Sequence, residues 1–329
     1  MVLANIYGKP IQHFLDRLEF DILRESVPGD LGPDRLRELG IEHAQSGNLG
    51  RALSFFERRR VLLEAASPTP ETAAQARTDL ALVLKRLGKL RHAKEELEEC
   101  LRLERLSRRI LTRCLDLLAG VEREMRSYRL ARLHAGEALR LARESEDPVM
   151  AAHCENTLGN ILFDSGDPDG ASRHYETAVA VFEREGDRRS LAVTAANYGN
   201  CLVAARKFDR GIPWIRKSLE IARGDGFPRL VADALSGLAR AYFRKGDLAR
   251  CNDFAFESIA SARKGDYFDI LFTAYFYLWR AAKAGGQPVE ERRLLKSLRY
   301  FRSKLEGTFP EVQEFDRGTA PEGKGDPDA

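Results

Sequence analysis

The chain has 329 residues, enough for two ordinary domains or one repeat array. Apolar residues make up 43% and charged residues 31%, which excludes wholesale disorder and suits helices with one wet face. The net charge of +3 lacks the clustered basic footprint of a nucleic-acid-binding domain, and no apolar run approaches the roughly 18 residues of a membrane span.

The first element covers residues 1–28. Its opening, MVLANIYGKPIQHF, has neither the basic start nor the apolar core of a signal peptide, so the expected compartment is the cytoplasm. Gly8 ends one short helix and Pro10 opens the next. Leu3-Ala4-Asn5-Ile6-Tyr7-Gly8 followed by Phe14-Leu15 resembles the L-A-x-x-Y-G-x-x-x-x-x-F-L pattern that closes a lambda repressor/Cro-type helix-turn-helix. The recognition helix of such a motif would lie upstream of Met1, so DNA is an expected partner only if that motif is restored. The segment is either the remnant of such a domain or a simple N-terminal capping helix.

Residues 29–306 are periodic. Turn signals fall at Gly47, Gly88, Gly166, Gly246 and Gly285, with Arg126 and Arg206 filling the gaps, a spacing of about 40 residues. Before each turn comes a large residue followed by a small one: Leu39-Gly40, Leu80-Ala81, Leu118-Ala119, Leu158-Gly159, Tyr198-Gly199 and Leu238-Ala239. After it comes a small residue with a large one four places on, as in Ala52 with Phe56, Ala93 with Leu97, and Ala171 with Tyr175. Small residues belong where two helices of a hairpin cross closely, and large ones fill the space between neighbouring hairpins. One hairpin cannot bury its own apolar face, so at least three must stack.

This pattern resembles the tetratricopeptide repeat, L-G-x-x-Y…G-x-x-x-x-A-x-x-x-F…A, and ENTLGNILFDSGDPDGASRHYETAVAVFEREGD is its closest match. The longer period resembles the variant found in polarity adaptors and in bacterial peptide-sensing regulators. The resemblance implies an all-α fold, a right-handed α-α superhelix of about seven helix pairs. It also implies a groove that holds an extended peptide or protein segment. Counting from each small residue puts Asn156 and Asn160, Asn197 and Asn200, Ser236, Arg240 and Arg244, and then Phe272, Tyr275 and Trp279 on the groove wall. An Asn side chain both donates and accepts, so it can pair with a peptide N–H and C=O together. An arginine forks a carboxylate, and aromatic faces take apolar side chains. In families with N-x-x-G-N in successive repeats, such asparagines clamp peptide backbone. Here the words are Asn156-Thr157-Leu158-Gly159-Asn160 and the shorter Asn197-Tyr198-Gly199-Asn200, so only Asn200 keeps the register of Asn160. The aromatic cluster from Tyr267 to Trp279 fits a cap, a pocket wall or a homodimer interface.

Other chemistry finds little support. Cys100, Cys114, Cys154, Cys201 and Cys251 are odd in number and form no C-x-x-C, which points to buried packing residues. The six histidines form no H-x-x-x-H pair, and Asp164, Asp167 and Asp169 lack the downstream Glu of a calcium loop. No metal, cofactor or catalytic constellation is expected. Glu95, Glu96, Glu98 and Glu99, like Arg58-Arg59-Arg60, read as solvated outer faces of second helices. The tail over 307–329 is rich in Pro, Gly and charge and reads as disordered. The expected function is a peptide- or protein-binding solenoid serving as the sensor of a bacterial helix-turn-helix/tetratricopeptide regulator, with a plain interaction scaffold as the alternative.

Overall fold

The structure, a computed structural model, describes residues 27–305 and 309–319. Among them are fifteen α-helices and no strand. The segment carrying the helix-turn-helix resemblance lies outside the described residues, apart from its last two. The helices are α1 (Pro33–Gln45), α2 (Leu49–Ala65), α3 (Pro70–Arg86), α4 (Leu90–Leu101), α5 (Arg108–Glu124), α6 (Tyr128–Glu144) and α7 (Pro148–Asp164). They continue with α8 (Pro168–Glu185), α9 (Arg188–Ala204), α10 (Phe208–Gly224), α11 (Pro228–Lys245), α12 (Leu248–Ala262), α13 (Phe268–Ala284), α14 (Pro288–Arg302) and α15 (Pro310–Thr319). The first fourteen make seven sequential pairs, each an odd-numbered helix followed by an even-numbered one.

Local chemistry sets these boundaries. The turn inside a pair needs one residue in the left-handed region, where a Cβ is strained and glycine is not. Gly47, Gly88, Gly166 and Gly246 take it, with φ of 88°, 77°, 92° and 87°. Arg126 and Arg206 take it too, at φ of 62° and 61°, and carry the strain that glycine avoids elsewhere. In the last pair the left-handed residue is Gly286, one place beyond the Gly285 expected from spacing. Helix starts are fixed by side-chain caps. Asn48 accepts from Arg51 N, Asp147 from Met150 N, Asp167 from Gly170 N, Asp187 from Ser190 N and Asp247 from Arg250 N. Each cap contributes about 1 kcal/mol. The aspartates near residue 167 therefore have structural work: Asp167 caps α8, Asp164 pairs with Arg123, and Asp169 pairs with Lys207.

The chain divides into two compact units, Met1–Ser165 and Gly166–Ala329. Within each, α1 to α7 and α8 to α14 pack each on the next in sequence order, whereas α15 packs on α13. Odd-numbered helices also pack directly on the next odd-numbered helix: α3 on α5 and α5 on α7 in the first unit, α9 on α11 and α11 on α13 in the second. They form the tighter, inner layer of each stack. The even-numbered helices form the outer layer.

The small residues stand where the pattern required them. Gly40, Ala81, Ala119, Gly199 and Ala239 are buried at their crossings. At the α9–α10 crossing backbone meets backbone: a Cβ on Gly211 would stand 2.7 Å from Gly199 O, and one on Gly199 would stand 2.7 Å from Gly211 O. Ala52, Ala93 and Ala171 are fully buried, with Phe56, Leu97 and Tyr175 packed beside them. All five cysteines are buried thiols. In the second unit one continuous core runs from Val203 to Phe315. Among the described residues no helix is long and apolar enough to cross a membrane.

Two expectations are corrected here. Residues 310–319 are not disordered but form α15, because Val312 and Phe315 lie on one helical face and bury completely or nearly so. The Arg58-Arg59-Arg60 run is not a solvated face. Arg59 is 4% exposed and donates to Asp79, while Arg60 pairs with Glu57 and Glu64.

Candidate inner-face binding site

In the first unit the inner layer is polar and largely self-satisfied. Asp79 on α3 is the hub. It accepts from Arg37 Nε at 2.8 Å, Gln75 Nε2 at 3.0 Å and Arg113 at 3.0 Å, with Arg59 at 3.4 Å. Asn156 and Asn160 lie half-buried one turn apart on α7, and neither is free of partners. Their neighbour Thr157 hydrogen-bonds Asp116 of α5, whose Oδ1 is buried without a partner. Burial pushes the Asp116 carboxyl above its ordinary range, and the Thr157 bond, His153 and Lys85 offset this only in part.

The sign follows from linkage. A group whose native pKa is raised favours the native state when protonated, and that contribution is lost as pH rises through the raised value. At neutral pH the Asp116 carboxylate therefore destabilises the first unit. Asp116→Asn should raise its unfolding midpoint at pH 7, with the gain shrinking as pH falls through the raised native value and gone at about pH 3.9, the ordinary aspartate value. Urea melts at the two pH values check this, and a variant less stable at pH 7 contradicts it.

In the second unit, buried polar atoms without a partner gather on two adjacent inner helices, α9 and α11. Asn197 and Asn200 lie half-buried on α9; Asn197 has a partner, whereas Asn200 Oδ1 is buried without one. Asn200 lies along the backbone of α11, where Gly237 makes room: a Cβ there would stand 3.2 Å from Asn200 Oδ1. Ser236 is 3% exposed and its Oγ has no partner. One turn further on, Arg240 gives Nη1 to Glu311 at 3.2 Å but leaves its buried Nε unpaired. Arg244 is exposed. Asp233, one turn before Gly237, is open to water in its immediate surroundings. The surrounding protein raises its carboxyl above the ordinary value, while Arg240 and Arg229 pull the other way. Arg229 forks Asp269 of α13 beside it.

The aromatic residues are placed differently from expectation. Tyr275 faces α14: its ring stacks on Phe301 at 5.2 Å and its hydroxyl accepts from Arg263 at 2.7 Å. Phe272 is fully buried, and Trp279 is 7% exposed against Phe276 and Phe315. Phe272 and Trp279 are core, and Tyr275 packs half-buried against it. The 40-residue spacing puts Tyr275 on Leu235 and Trp279 on Ala239, both buried. The inner positions of α13 are Thr273, Tyr277 and Arg280, which match Asp233, Gly237 and Arg240. Tyr277 donates to Glu311 at 3.0 Å and Arg280 pairs with Glu314, so α15 lies along this inner face.

Stacked hairpins with crossing glycines and alanines define a helical-repeat protein of the tetratricopeptide type. Two stretches match the tetratricopeptide repeat, residues 148–224 and 74–105. The longer match contains the stretch whose residues resembled the family most. The chain is similar to a Rap protein complexed with competence and sporulation factor, at 16% identity over 87% of this chain and 79% of that one, with a TM-score of 0.69. It is similar to the apo form of RapI at 14% identity, over 82% of this chain and 97% of that one, with a TM-score of 0.63. BtubC from P. vanneervenii follows at 19% identity, over 69% and 94%, with a TM-score of 0.53. Likeness at these identities concerns the fold. No curated protein matches the chain in sequence.

Proposed function

We propose that this protein is an interaction solenoid, not an enzyme, and that the inner layer of its second unit grips an extended segment of another polypeptide. One observation carries the reading. Asn200 Oδ1, Ser236 Oγ and Arg240 Nε, on two adjacent inner helices, are buried and unpaired within the chain. Each such atom costs about 1–3 kcal/mol unless something completes it. Together they offer an acceptor, a hydroxyl and a donor, the complement of a peptide backbone. Asp233, exposed one turn before Gly237, leaves the side of this strip accessible to the segment. A Rap protein of similar fold is complexed with competence and sporulation factor, which supports a holding role for the architecture.

The test is a selection of peptides from a random library on the immobilised protein, followed by titration of the tightest one. Asn200→Ala with Ser236→Ala removes two hydrogen bonds of about 0.5–1.5 kcal/mol each, so binding should weaken about 5- to 150-fold. The melting temperature should stay level, because the deleted groups satisfy nothing in the free chain. Unchanged affinity would place the ligand elsewhere.

The finer reading is a sensor within a bacterial transcriptional regulator. It is supported by the resemblance of residues 3–15 to the end of a helix-turn-helix. Capture of the native protein cross-linked to specific DNA is the expected result, and capture with protein partners alone leaves the scaffold reading.

A further inference from the structure

The C-terminal helix occupies part of the surface just described, and its chemistry is specific. Glu311 is 6% exposed and is held by Tyr277 and Arg240; Glu314 pairs with Arg280; Asp316 accepts twice from Arg302 Nε, at 3.0 and 3.1 Å. On the same helix Val312 is fully buried, and Phe315 sets its ring edge-on to Phe272 at 5.6 Å and Trp279 at 6.1 Å. Three carboxylates and two apolar anchors on ten residues thus meet three arginines and an aromatic floor. A helix of ten residues is marginal by itself in water, so α15 owes its helicity to this docking. Only Glu311, Val312 and Phe315 are buried, which puts α15 at the low-stability end of the second unit.

We propose that α15 is a tethered stand-in for the partner: the inner face of α11 and α13 is a receptor for acidic amphipathic segments, and an external segment of that chemistry gains it by displacing α15. This rests on the reading of the second unit's inner layer as a binding surface and names the ligand class for its α11–α13 end, where the ligand is helical. The partner carries a glutamate with an aromatic residue four places on and a second carboxylate between them, as Glu311, Glu314 and Phe315 do. Charge complementarity sets the register, and the aromatic fills the space beside Trp279. Exchange of the two segments is a competition, so α15 sets the concentration at which the partner is admitted.

The test uses the full chain and a fluorescein-labelled peptide of sequence FPEVQEFDRGT, that of residues 309–319. Glu311→Lys with Phe315→Asp in the full chain should release α15 and raise affinity for the peptide at least tenfold over the unsubstituted chain. Adding Arg240→Glu should remove that gain. Equal binding to both chains, or binding to neither, would overturn the proposal. A second measurement needs no substitution: hydrogen exchange of the native chain should show residues 310–319 opening independently of α13 and faster. Exchange of α15 only together with α13 would make it a fixed part of the core and end the idea. That outcome leaves the Asn200–Ser236 strip untouched, whereas loss of that strip's effect with α15 still opening alone fails the binding reading by itself.

Discussion

Asp79→Ala should cost the first unit about 3–5 kcal/mol, the range for removing one partner of a buried ion pair. Asp79 and Arg59 are each 4% exposed, and Arg37 and Arg113 close the site from two other helices. Burial already pulls the Arg59 guanidinium below its ordinary value although Asp79 stands beside it. Without Asp79 the buried Arg59 would keep only Asp34, which forms no ion pair with it, as counter-charge, and three arginines would repel around the site. The loss is an uncompensated charge rather than a lost contact. Replacing Asp79 and Arg59 together by leucine should therefore recover much of the deficit. Urea unfolding read by hydrogen exchange in α1 to α5 measures both. A loss below about 1 kcal/mol for the single variant would mean that water reaches the hub and screens it.

Gly211→Ala is the sharpest test of the helix crossing, because two effects oppose. In an ordinary helix interior the change gains about 1 kcal/mol from propensity. Here the new Cβ would meet Gly199 O at 2.7 Å and Val203 N at 3.0 Å. These are backbone atoms and cannot rotate away, so α10 must lift off α9, at about 1–3 kcal/mol or more. The second effect should win, with a net loss in melting temperature of the second unit. Gly136→Ala on the exposed face of α6 is the control, since nothing lies within 4 Å of its Cβ position. It should gain about 1 kcal/mol. If both variants gain, the α9–α10 approach is looser than described.

These effects also explain what could be read in advance. The crossing residues are local and repeat, so Tyr198-Gly199 and Ala171 with Tyr175 announced the hairpins directly. The Asp79 hub is not local: Arg59 lies twenty residues before it and Arg113 thirty-four after, and nothing in Arg58-Arg59-Arg60 itself signals a buried partner. The helix register was legible where small residues fixed the count, as at Tyr198-Gly199 and Leu238-Ala239. It was misjudged in the last repeat, where no Gly or Ala occupies the small position and the count slipped onto Tyr275, which packs against α14, and the core residue Trp279. Carrying the register forward from Arg240 by forty residues leads to Arg280, the correct inner residue. For α15, tail composition hid a short pattern: Pro310 in the first turn, then Val312 and Phe315 three apart.

The binding claim is tested most directly by locating the ligand. The photoreactive residue p-benzoylphenylalanine at Asp233, which is exposed on the inner layer, should cross-link the library-selected peptide. The same residue at Phe256, which is 58% exposed on the outer helix α12, should not. Cross-linking at 256 with none at 233 would contradict the account.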